Sequence, residues 1–151
     1  GVVPEAAGKP EPAMFTQAAK ARGMRTPLAV GDRLDTDIAG GVAAGMPVLH
    51  VLTGVSGPHA LLQAPPEHRP TYIAADMRGL GEAPEALAPG AQEGFEAGID
   101  GSAIVLSGGT TNASSLAALR TALYVAWQQP EPPAEVRAES DAAEAALAEW
   151  W

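Results

Sequence analysis

The sequence predicts an α/β fold built on a parallel sheet, and two observations indicate this class. First, three short apolar stretches have the length and composition of buried strands, at residues 28–30, 48–52 and 72–75. Second, stretches with helical spacing of apolar residues lie between them. Strands that alternate with helices build parallel sheets, because two parallel strands need a long crossover connection.

The helices of this first half have recognisable ends. The first helix is predicted over about residues 12–22, since Pro12 suits a first helical turn. The second helix is predicted over residues 36–44, with a Thr or Asp cap at its start and Gly45 at its end. A short helix at residues 59–63 then precedes the third strand, which completes the alternation.

The second half of the chain has a different pattern. Residues 94–99 and 103–106 predict a β-hairpin, since a tight-turn Asp-Gly dipeptide lies between them. A Gly-rich loop then leads into a helix. Capping of this helix by Thr111 or Asn112 is favoured over a phosphate-binding loop, because the Walker lysine is absent.

Apolar residues recur at steps of three and four along the helix after this loop. They are Leu116, Leu119, Leu123 and Trp127. This spacing predicts one apolar helix face. Residues 134–151 are predicted as a second helix that docks on the first as a helical hairpin. Trp150 and Trp151 would anchor it, either onto this chain or onto a second copy.

These patterns divide the chain into three predicted parts. They are residues 1–80, which contain the parallel sheet, residues 81–93, a linker or loop rich in Gly, Pro, Ala and Glu, and residues 94–151, an acidic extension with a hairpin and two helices.

The net charge of −9 is distributed unevenly. Residues 1–80 carry equal numbers of acidic and basic residues, whereas the remainder carries eleven acids and only two arginines. This excludes nucleic-acid-binding proteins as a class, because they need a basic surface.

No apolar run approaches the roughly 18 residues that span a bilayer, and no signal peptide opens the chain, so we expect a cytoplasmic protein without a membrane partner. The absence of cysteine excludes disulfides and thiolate metal sites.

Three carboxylates follow the first strand within six positions: Asp32, Asp35 and Asp37. In open α/β sheets the ligand site lies at the carboxyl ends of the strands, where Asp32 is expected. Clustered carboxylates repel one another, and an oxygen-rich site of this kind suits Mg²⁺. The alternative is structural, with Asp32 closing a turn and Asp37 favouring a helix N-terminus.

Lys9 lies in a Gly-Lys-Pro turn just before the first predicted helix. A lysine there can face a phosphoryl oxygen and add to the positive end of the helix dipole. The alternative is a solvated loop lysine. Gly-Lys-Pro, a helix, an apolar strand and Gly-Asp-x-x-x-Thr-Asp nevertheless form an ordered constellation along the chain.

This constellation resembles the haloacid dehalogenase (HAD) superfamily of phosphatases, and most of all its p-nitrophenyl phosphatase and NagD-like branch. Lys9 within Gly-Lys-Pro matches the third motif of the family, and residues 31–38 match the fourth almost letter for letter. The resemblance covers about residues 1–80 and implies a partial Rossmann-like HAD core. The extension falls outside it and receives no chemistry from it.

The resemblance implies a role for each candidate residue. Asp32 would be a direct Mg²⁺ ligand, and Asp37 would be an acid that holds a metal-bound water. Lys9 would neutralise the attacking carboxylate and the transferring phosphoryl group. The implied substrate is a small phosphorylated metabolite, hydrolysed through an aspartyl-phosphate.

Other parts of the family pattern are not visible. The family nucleophile is an aspartate in an Asp-x-Asp-Gly-Thr-type motif after an apolar strand, and a second motif and a cap domain follow it. Asp35 and Asp37 have the Asp-x-Asp form, but no apolar strand leads directly into them. We therefore expect the chain to be the C-terminal part of a longer phosphatase and to be inactive by itself.

Two other function classes remain open. A non-catalytic interaction module would use the acidic helical tail and its tryptophans to bind a partner, including a second copy in a homodimer. A receiver-like phosphoacceptor domain also places acids at strand ends beside Mg²⁺. Its paired acids belong after the first strand, however, and Lys9 precedes the acidic loop here.

Overall fold

The computed structural model describes residues 8–133 and 135–150, which form two three-stranded sheets with helices packed against them. The elements follow in this order: α1 (Ala13–Ala21), β1 (Ala29–Gly31), a π-helical turn (Leu34–Ile38) that runs into α2 (Ala39–Ala43), β2 (Val48–Val51), α3 (Pro58–Leu62), a 3₁₀ turn (Pro66–His68), β3 (Tyr72–Ala74), a second 3₁₀ turn (Met77–Gly81), α4 (Pro84–Leu87), β4 (Phe95–Asp100), β5 (Ala103–Gly108), α5 (Ser115–Ala126), β6 (Glu135–Ala138) and α6 (Asp141–Ala148).

The first sheet is parallel, as the sequence predicts, with the strand order β1-β2-β3. Ala29 lies opposite Val48, and His50 lies between Gly31 and Ile73. Because all three strands run the same way, the loops after β1 and β2 leave the sheet at one edge. The predicted rim that carries Asp32 is therefore shared with the loop that follows β2.

The second sheet corrects the prediction for the C-terminal tail. Residues 134–151 do not form one helix, because β6 pairs in parallel with β5 before α6 begins. Exposed and half-buried residues alternate along β6, and Val136 lies opposite Ile104. The predicted helical hairpin is therefore a β5–α5–β6 crossover followed by α6, whose cap is Ser140.

The start of α5 also differs from the prediction. The cap is Ser114, whose Oγ accepts a hydrogen bond from the amide of Ala117 at 3.1 Å, and neither Thr111 nor Asn112 takes this role. The carboxylate of Glu93 accepts a further bond from the Ser114 amide at 2.6 Å. An acidic side chain thus already satisfies this helix end.

The predicted apolar face of α5 is confirmed. Leu119 and Leu123 are buried, and they belong to a hydrophobic cluster that extends from β1 to α6. Trp127, at the end of this face, donates from Nε1 to the carbonyl of Leu61 at 3.0 Å. The two sheets therefore share one core through α3 and α5.

Polar contacts reinforce this junction. The buried guanidinium of Arg120 donates through Nε to the carbonyl of Ile73 at 3.0 Å and through Nη1 to Oε1 of Gln92 at 3.3 Å. Arg69 donates to the carbonyl of Trp127 at 2.8 Å. Because β3 is an edge strand, Arg120 satisfies a carbonyl that no neighbouring strand reaches among the described residues.

Residues 81–93 hold more structure than a plain linker. They contain α4, and Leu87 at its end is buried against Leu49, Val51 and Ala74. The amide of Gln92 donates to Oγ1 of Thr121 at 3.2 Å. This connection is therefore tied to both halves of the chain, while the predicted domain limits at residues 80 and 94 stay a prediction.

Trp150 packs within the chain, which was one of the two expectations for it. Its ring is only 8% exposed. Its Nε1 donates to the carbonyl of Ser115 at the start of α5, at 3.0 Å. Trp151 lies outside the described residues. Within the described part, no helix has the length and hydrophobicity needed to cross a membrane.

We predict that Arg120→Met lowers the free energy of unfolding by about 1–3 kcal/mol, because it leaves the carbonyl of Ile73 and the amide oxygen of Gln92 without a donor. Urea denaturation measures this difference. Arg137→Met is the matched control, since Arg137 lies half exposed on β6 and pairs with Asp100 and Glu135. The control should change stability by less than about 0.5 kcal/mol, and equal losses in both variants would contradict the assigned role.

Candidate functional site

The site begins where β1 ends. Its last residue, Gly31, leads into a π-helical turn that returns Asp37 toward the strand. A side chain at position 31 would overlap Asp37, so glycine permits this close approach. Oδ2 of Asp37 accepts hydrogen bonds from the amides of Asp32 and Arg33, at 3.4 and 3.3 Å. The carboxylate of Asp37 therefore fixes the backbone that carries Asp32.

The expected helix cap at Thr36 or Asp37 is wrong. Arg33 precedes the π-helical turn in an extended conformation and makes no side-chain cap. Asp37 lies inside the helical segment, and its carboxylate bonds amides that precede the helix. The reason is that Lys9 and the amides of Asp32 and Arg33 bond this carboxylate at the strand end, where Gly31 leaves room for it.

Lys9 reaches the same carboxylate from a distant part of the chain. Its Nζ lies 2.5 Å from Oδ1 of Asp37, which is 28 residues away. The same Nζ lies 5.8 Å from the centroid of the Phe15 ring in α1. A Cβ at Gly40 would lie 2.5 Å from Cε2 of Phe15, so α1 packs closely on α2. This packing brings the turn with Lys9 to the end of β1.

The electrostatics of Asp37 follow from these contacts. Burial by itself raises the pKa of the Asp37 carboxyl, since Asp37 is only 8% exposed. The hydrogen bond and the charge of Lys9 oppose this effect, as do the amides of Arg33 and Asp32. Together they hold the pKa of Asp37 below its usual value of 3.8. Asp37 is therefore ionised at neutral pH.

Asp32 presents a different environment. Its Oδ2 accepts a hydrogen bond from the amide of Val55, in the loop after β2, at 2.9 Å. Gly54 lies so close to this oxygen that any side chain at position 54 would overlap it. Among the described residues no donor contacts Oδ1 of Asp32. One oxygen of this half-buried carboxylate is therefore held and the other is open.

Asp35 takes no part in this arrangement. It is exposed, and both of its oxygens pair with the guanidinium of Arg33, at 3.1 and 2.8 Å. It also lies in the π-helical turn and not at a strand end. These facts agree with the expectation that the Asp-x-Asp pattern of Asp35 and Asp37 is not a nucleophile motif.

The structure thus brings the three predicted site residues together. Lys9 contacts Asp37 directly, and Asp37 contacts the backbone of Asp32. The loop of residues 53–57 lies on the rim with Asp32, as its place after the second predicted strand indicates, although the sequence favours a plain connector over a pocket lining there. For His50 the sequence favours a solvated or packed side chain, and the signal for a role near the site is that it is the polar residue of an otherwise apolar strand.

His50 is buried in β2 with an exposure of 0%. Its Nε2 lies 2.8 Å from the carbonyl oxygen of Ser56. Burial lowers the pKa of His50, while this hydrogen bond and the charges of Asp32 and Asp37 raise it less. A carbonyl can only accept, so Nε2 of the neutral ring carries the hydrogen.

The donor set bears on which metal the site can hold. No group of three or more His, Cys, Asp or Glu side chains converges among the described residues. The open oxygen of Asp32 is a hard ligand, and Mg²⁺ accepts one or two protein carboxylates while it keeps several waters. The residues present therefore fit part of a magnesium site, to which Asp32 could offer its open oxygen.

We predict that Asp37→Asn lowers the free energy of unfolding by about 1–3 kcal/mol near neutral pH, since it removes a charge-assisted contact with Lys9. The pKa of Asp37 is depressed on folding, so its contribution is present above the unfolded value of 3.8 and is lost as pH falls through the lower folded value. Chemical denaturation between about pH 2 and pH 7 should show the two proteins converging in acid.

Asp35→Asn is the control for this prediction. Asp35 is exposed and its pairing with Arg33 is screened by solvent, so the variant should follow the wild-type pH profile closely. A wild-type advantage over Asp37→Asn that persists unchanged at the acid end would contradict the assignment.

Comparison with known proteins agrees with this geometry. Residues 6–80 match the model of the HAD-hydrolase-like family. Residues 92–150 match a second family, the GCN5-related N-acetyltransferase like domain. The extension thus matches a model of its own, which its sequence motifs did not indicate. The two matched segments meet at the connection that contains α4.

Individual relatives are phosphatases. The chain is 37% identical to D-glycerol 3-phosphate phosphatase of Mycobacterium tuberculosis over 161 aligned residues. The alignment covers 99% of this chain and 46% of the relative. It is 47% identical to acid sugar phosphatases of Staphylococcus aureus over 58 aligned residues. This alignment covers 37% of this chain and 22% of the relative.

Solved structures extend the match to the whole fold. Crystal structures of the M. tuberculosis glycerol phosphate phosphatase, in complex with magnesium and with calcium, each match with a TM-score of 0.87 and 38% identity. They cover 99% of this chain, and the chain covers 45% and 46% of them. The chain thus spans less than half the length of these relatives. On the matched motifs, the fold and the placement of Lys9, Asp32 and Asp37, the chain belongs through residues 6–80 to the HAD-like hydrolases, the family of these phosphatases.

Proposed function

We propose that this chain is the C-terminal portion of a magnesium-dependent phosphatase that hydrolyses small phosphomonoesters. The observation that carries the proposal is the contact of Lys9 Nζ with Asp37 Oδ1 at 2.5 Å, beside an Asp32 carboxylate with one open oxygen. A cation and a potential metal ligand at one strand end suit a phosphoryl group. The activity named for the M. tuberculosis relative supports a small phosphorylated metabolite as substrate.

Asp32 is the proposed metal ligand. Its Oδ2 is held by the amide of Val55, so the open Oδ1 has a defined position relative to the rim. Magnesium, when bound there, would neutralise and orient the phosphoryl oxygens. The magnesium and calcium complexes of the M. tuberculosis relative support this choice of metal.

Lys9 is the proposed phosphoryl-binding cation. Its ammonium has three donor hydrogens, of which the bond to Asp37 uses one. Asp37 keeps the ammonium at the rim. The flexible lysine side chain is therefore already ordered before the reaction, and its entropy cost is not added to the barrier. Oδ2 of Asp37 already accepts two amide hydrogens, whereas Oδ1 accepts one bond from Lys9 and keeps a lone pair with which to hold a water.

The nucleophile is proposed to lie on a segment outside this chain. In the intact enzyme an aspartate oxygen would attack phosphorus, the alcohol would leave, and water would hydrolyse the aspartyl-phosphate. Of the carboxylates in the acidic loop, Asp35 is paired with Arg33 and Asp37 with Lys9. Neither is placed to attack a phosphoryl group beside Asp32.

The interaction-module alternative has less support. It needs the C-terminal tryptophans to be available to a partner, but the ring of Trp150 is buried and hydrogen-bonded to Ser115. The simplest role of the acidic residues in the extension (residues 94–151) is then to keep the protein in solution. We therefore keep the phosphatase as the proposed function of the parent protein.

We predict that the purified 151-residue chain shows no magnesium-dependent turnover of p-nitrophenyl phosphate, because positioning groups without a nucleophile do not complete the reaction. In the intact parent, Asp32→Asn and Lys9→Ala should each lower kcat/KM by at least about 100-fold. Steady-state assays measure both. Turnover by the isolated chain that Asp32→Asn abolishes would reject its proposed inactivity, and wild-type rates in either parent variant would reject the assigned role.

We also predict that the isolated chain binds Mg²⁺ at the rim. A ¹H–¹⁵N NMR titration with MgCl₂ should shift the amides of residues 31–35 and 53–56, and Asp32→Asn should abolish these shifts. The matched control is Asp76→Asn, which removes another strand-end carboxylate, one already bonded to Arg78. Loss of the shifts in the control, or their persistence in Asp32→Asn, would count against Asp32 as the ligand.

A further inference from the structure

We infer that His50 is a positioning residue for the Asp32 carboxylate, because it anchors from within the sheet the loop that holds this carboxylate. The inference rests on the proposed role of Asp32 as metal ligand. It assigns a task to a buried polar side chain that neither Lys9 nor Asp37 contacts through a hydrogen bond.

The anchor is a single, well-defined hydrogen bond. His50 lies in the central strand β2, between Gly31 of β1 and Ile73 of β3, and its ring is fully buried. Nε2 donates to the carbonyl of Ser56 at 2.8 Å. Nδ1 has no partner among the described residues. A buried ring in a packed strand cannot follow a moving loop, so the bond ties the loop to the sheet.

Ser56 transmits this restraint to the residues around Asp32. Its amide donates to the carbonyl of Asp32 at 3.0 Å, and its Oγ accepts from the amide of Leu34 at 3.2 Å. Ser56 is thus bonded on three sides, by His50, by Asp32 and by Leu34. Its position fixes the distance between the loop after β1 and the loop after β2.

Val55 completes the connection to the carboxylate itself. Its amide donates to Oδ2 of Asp32 at 2.9 Å, and Gly54 lies against the same oxygen. The side chain of Val55 is 69% exposed, and Thr53 and Gly54 are exposed as well. A loop tip that buries so little has no packing of its own to order it, so it needs an anchor in the sheet.

The consequence for the site is a fixed Asp32 rotamer. With Val55 bonded to Oδ2, the carboxylate is held in one orientation and Oδ1 stays available to a ligand. If the loop were released, the carboxylate would sample further rotamers and metal binding would have to order it again. Loss of a group that orients a metal ligand typically costs about 10–100-fold in metal affinity.

The test compares His50→Gln with His50→Met in the isolated chain. The two side chains have nearly the same length and volume, but only glutamine offers an N–H group to the carbonyl of Ser56. Hydrogen exchange of the Val55 and Ser56 amides is measured by NMR. We expect exchange to be at least about 10-fold faster in His50→Met, which corresponds to a loss of about 1.4 kcal/mol of local protection. His50→Gln should stay near the wild type.

Magnesium affinity from the same titration provides the second readout. His50→Met should weaken binding by about 10–100-fold and His50→Gln should restore it. Wild-type exchange at Val55 and Ser56 in His50→Met would overturn the inference. Equal acceleration in both variants across the whole sheet would also overturn it, since His50 would then act only by filling space.

Two further results separate failure of the His50 role from failure of the proposed function or of folding. If the wild type shows no magnesium-induced shifts, the proposed function fails, while the exchange data still decide whether His50 anchors the loop. If His50→Met does not fold, the wild-type ring decides: ¹⁵N spectra should show hydrogen on Nε2 and a coupling to the Ser56 carbonyl carbon. Hydrogen on Nδ1 would overturn the inference.

Discussion

The contact between Lys9 and Asp37 is the constraint on which the rest of the site depends. A carboxylate as buried as that of Asp37 is costly unless it is paired and hydrogen-bonded, and here an ammonium and two amides satisfy it. The same contact joins parts of the chain that are 28 residues apart. It therefore ties the turn before α1 to the turn after β1 and gives the backbone of Asp32 its direction. Glycines at positions 31 and 40 make the approach possible, because larger residues would overlap Asp37 and Phe15.

The second sheet is joined to this framework through α5. Trp127 and Arg120 of the α5 region each reach a backbone carbonyl of the first half, and the hydrophobic cluster continues between them. Because backbone carbonyls of the first half accept these bonds, substitutions of its side chains leave the acceptors in place. The start of α5 is already bonded by Glu93, and α6 begins with acidic residues. These features favour a unit that supports the first half over one that binds phosphate.

Much of the fold could be predicted because its signals are local. Apolar runs and helix boundaries identified β1, β2, β3 and α1 to within one or two residues. The strand β6 is not predicted from the sequence, because it is short and its alanine- and glutamate-rich surroundings favour a helix by propensity. Pairing with β5 overrides that preference, and such pairing is a tertiary effect. The cap of α5 was misplaced by a few residues for a similar reason: several Ser, Thr and Asn residues compete, and Glu93 from a distant segment selects Ser114.

By itself the sequence determined the α/β class of the first half, the residue types at the rim and the resemblance that names Lys9, Asp32 and Asp37. The class and the residue types depend on patterns within a few residues, whereas the three residue roles are implied by the resemblance of residues 8–10 and 31–38 to family motifs. Only the tertiary structure decided which carboxylate takes the lysine and which keeps an open oxygen, since Asp32 and Asp37 are alike as residues and differ in their neighbours. It also decided how the loop after β2 is bonded, to Asp32 through Val55 and to His50 through Ser56, because these hydrogen bonds join residues that the sequence keeps apart.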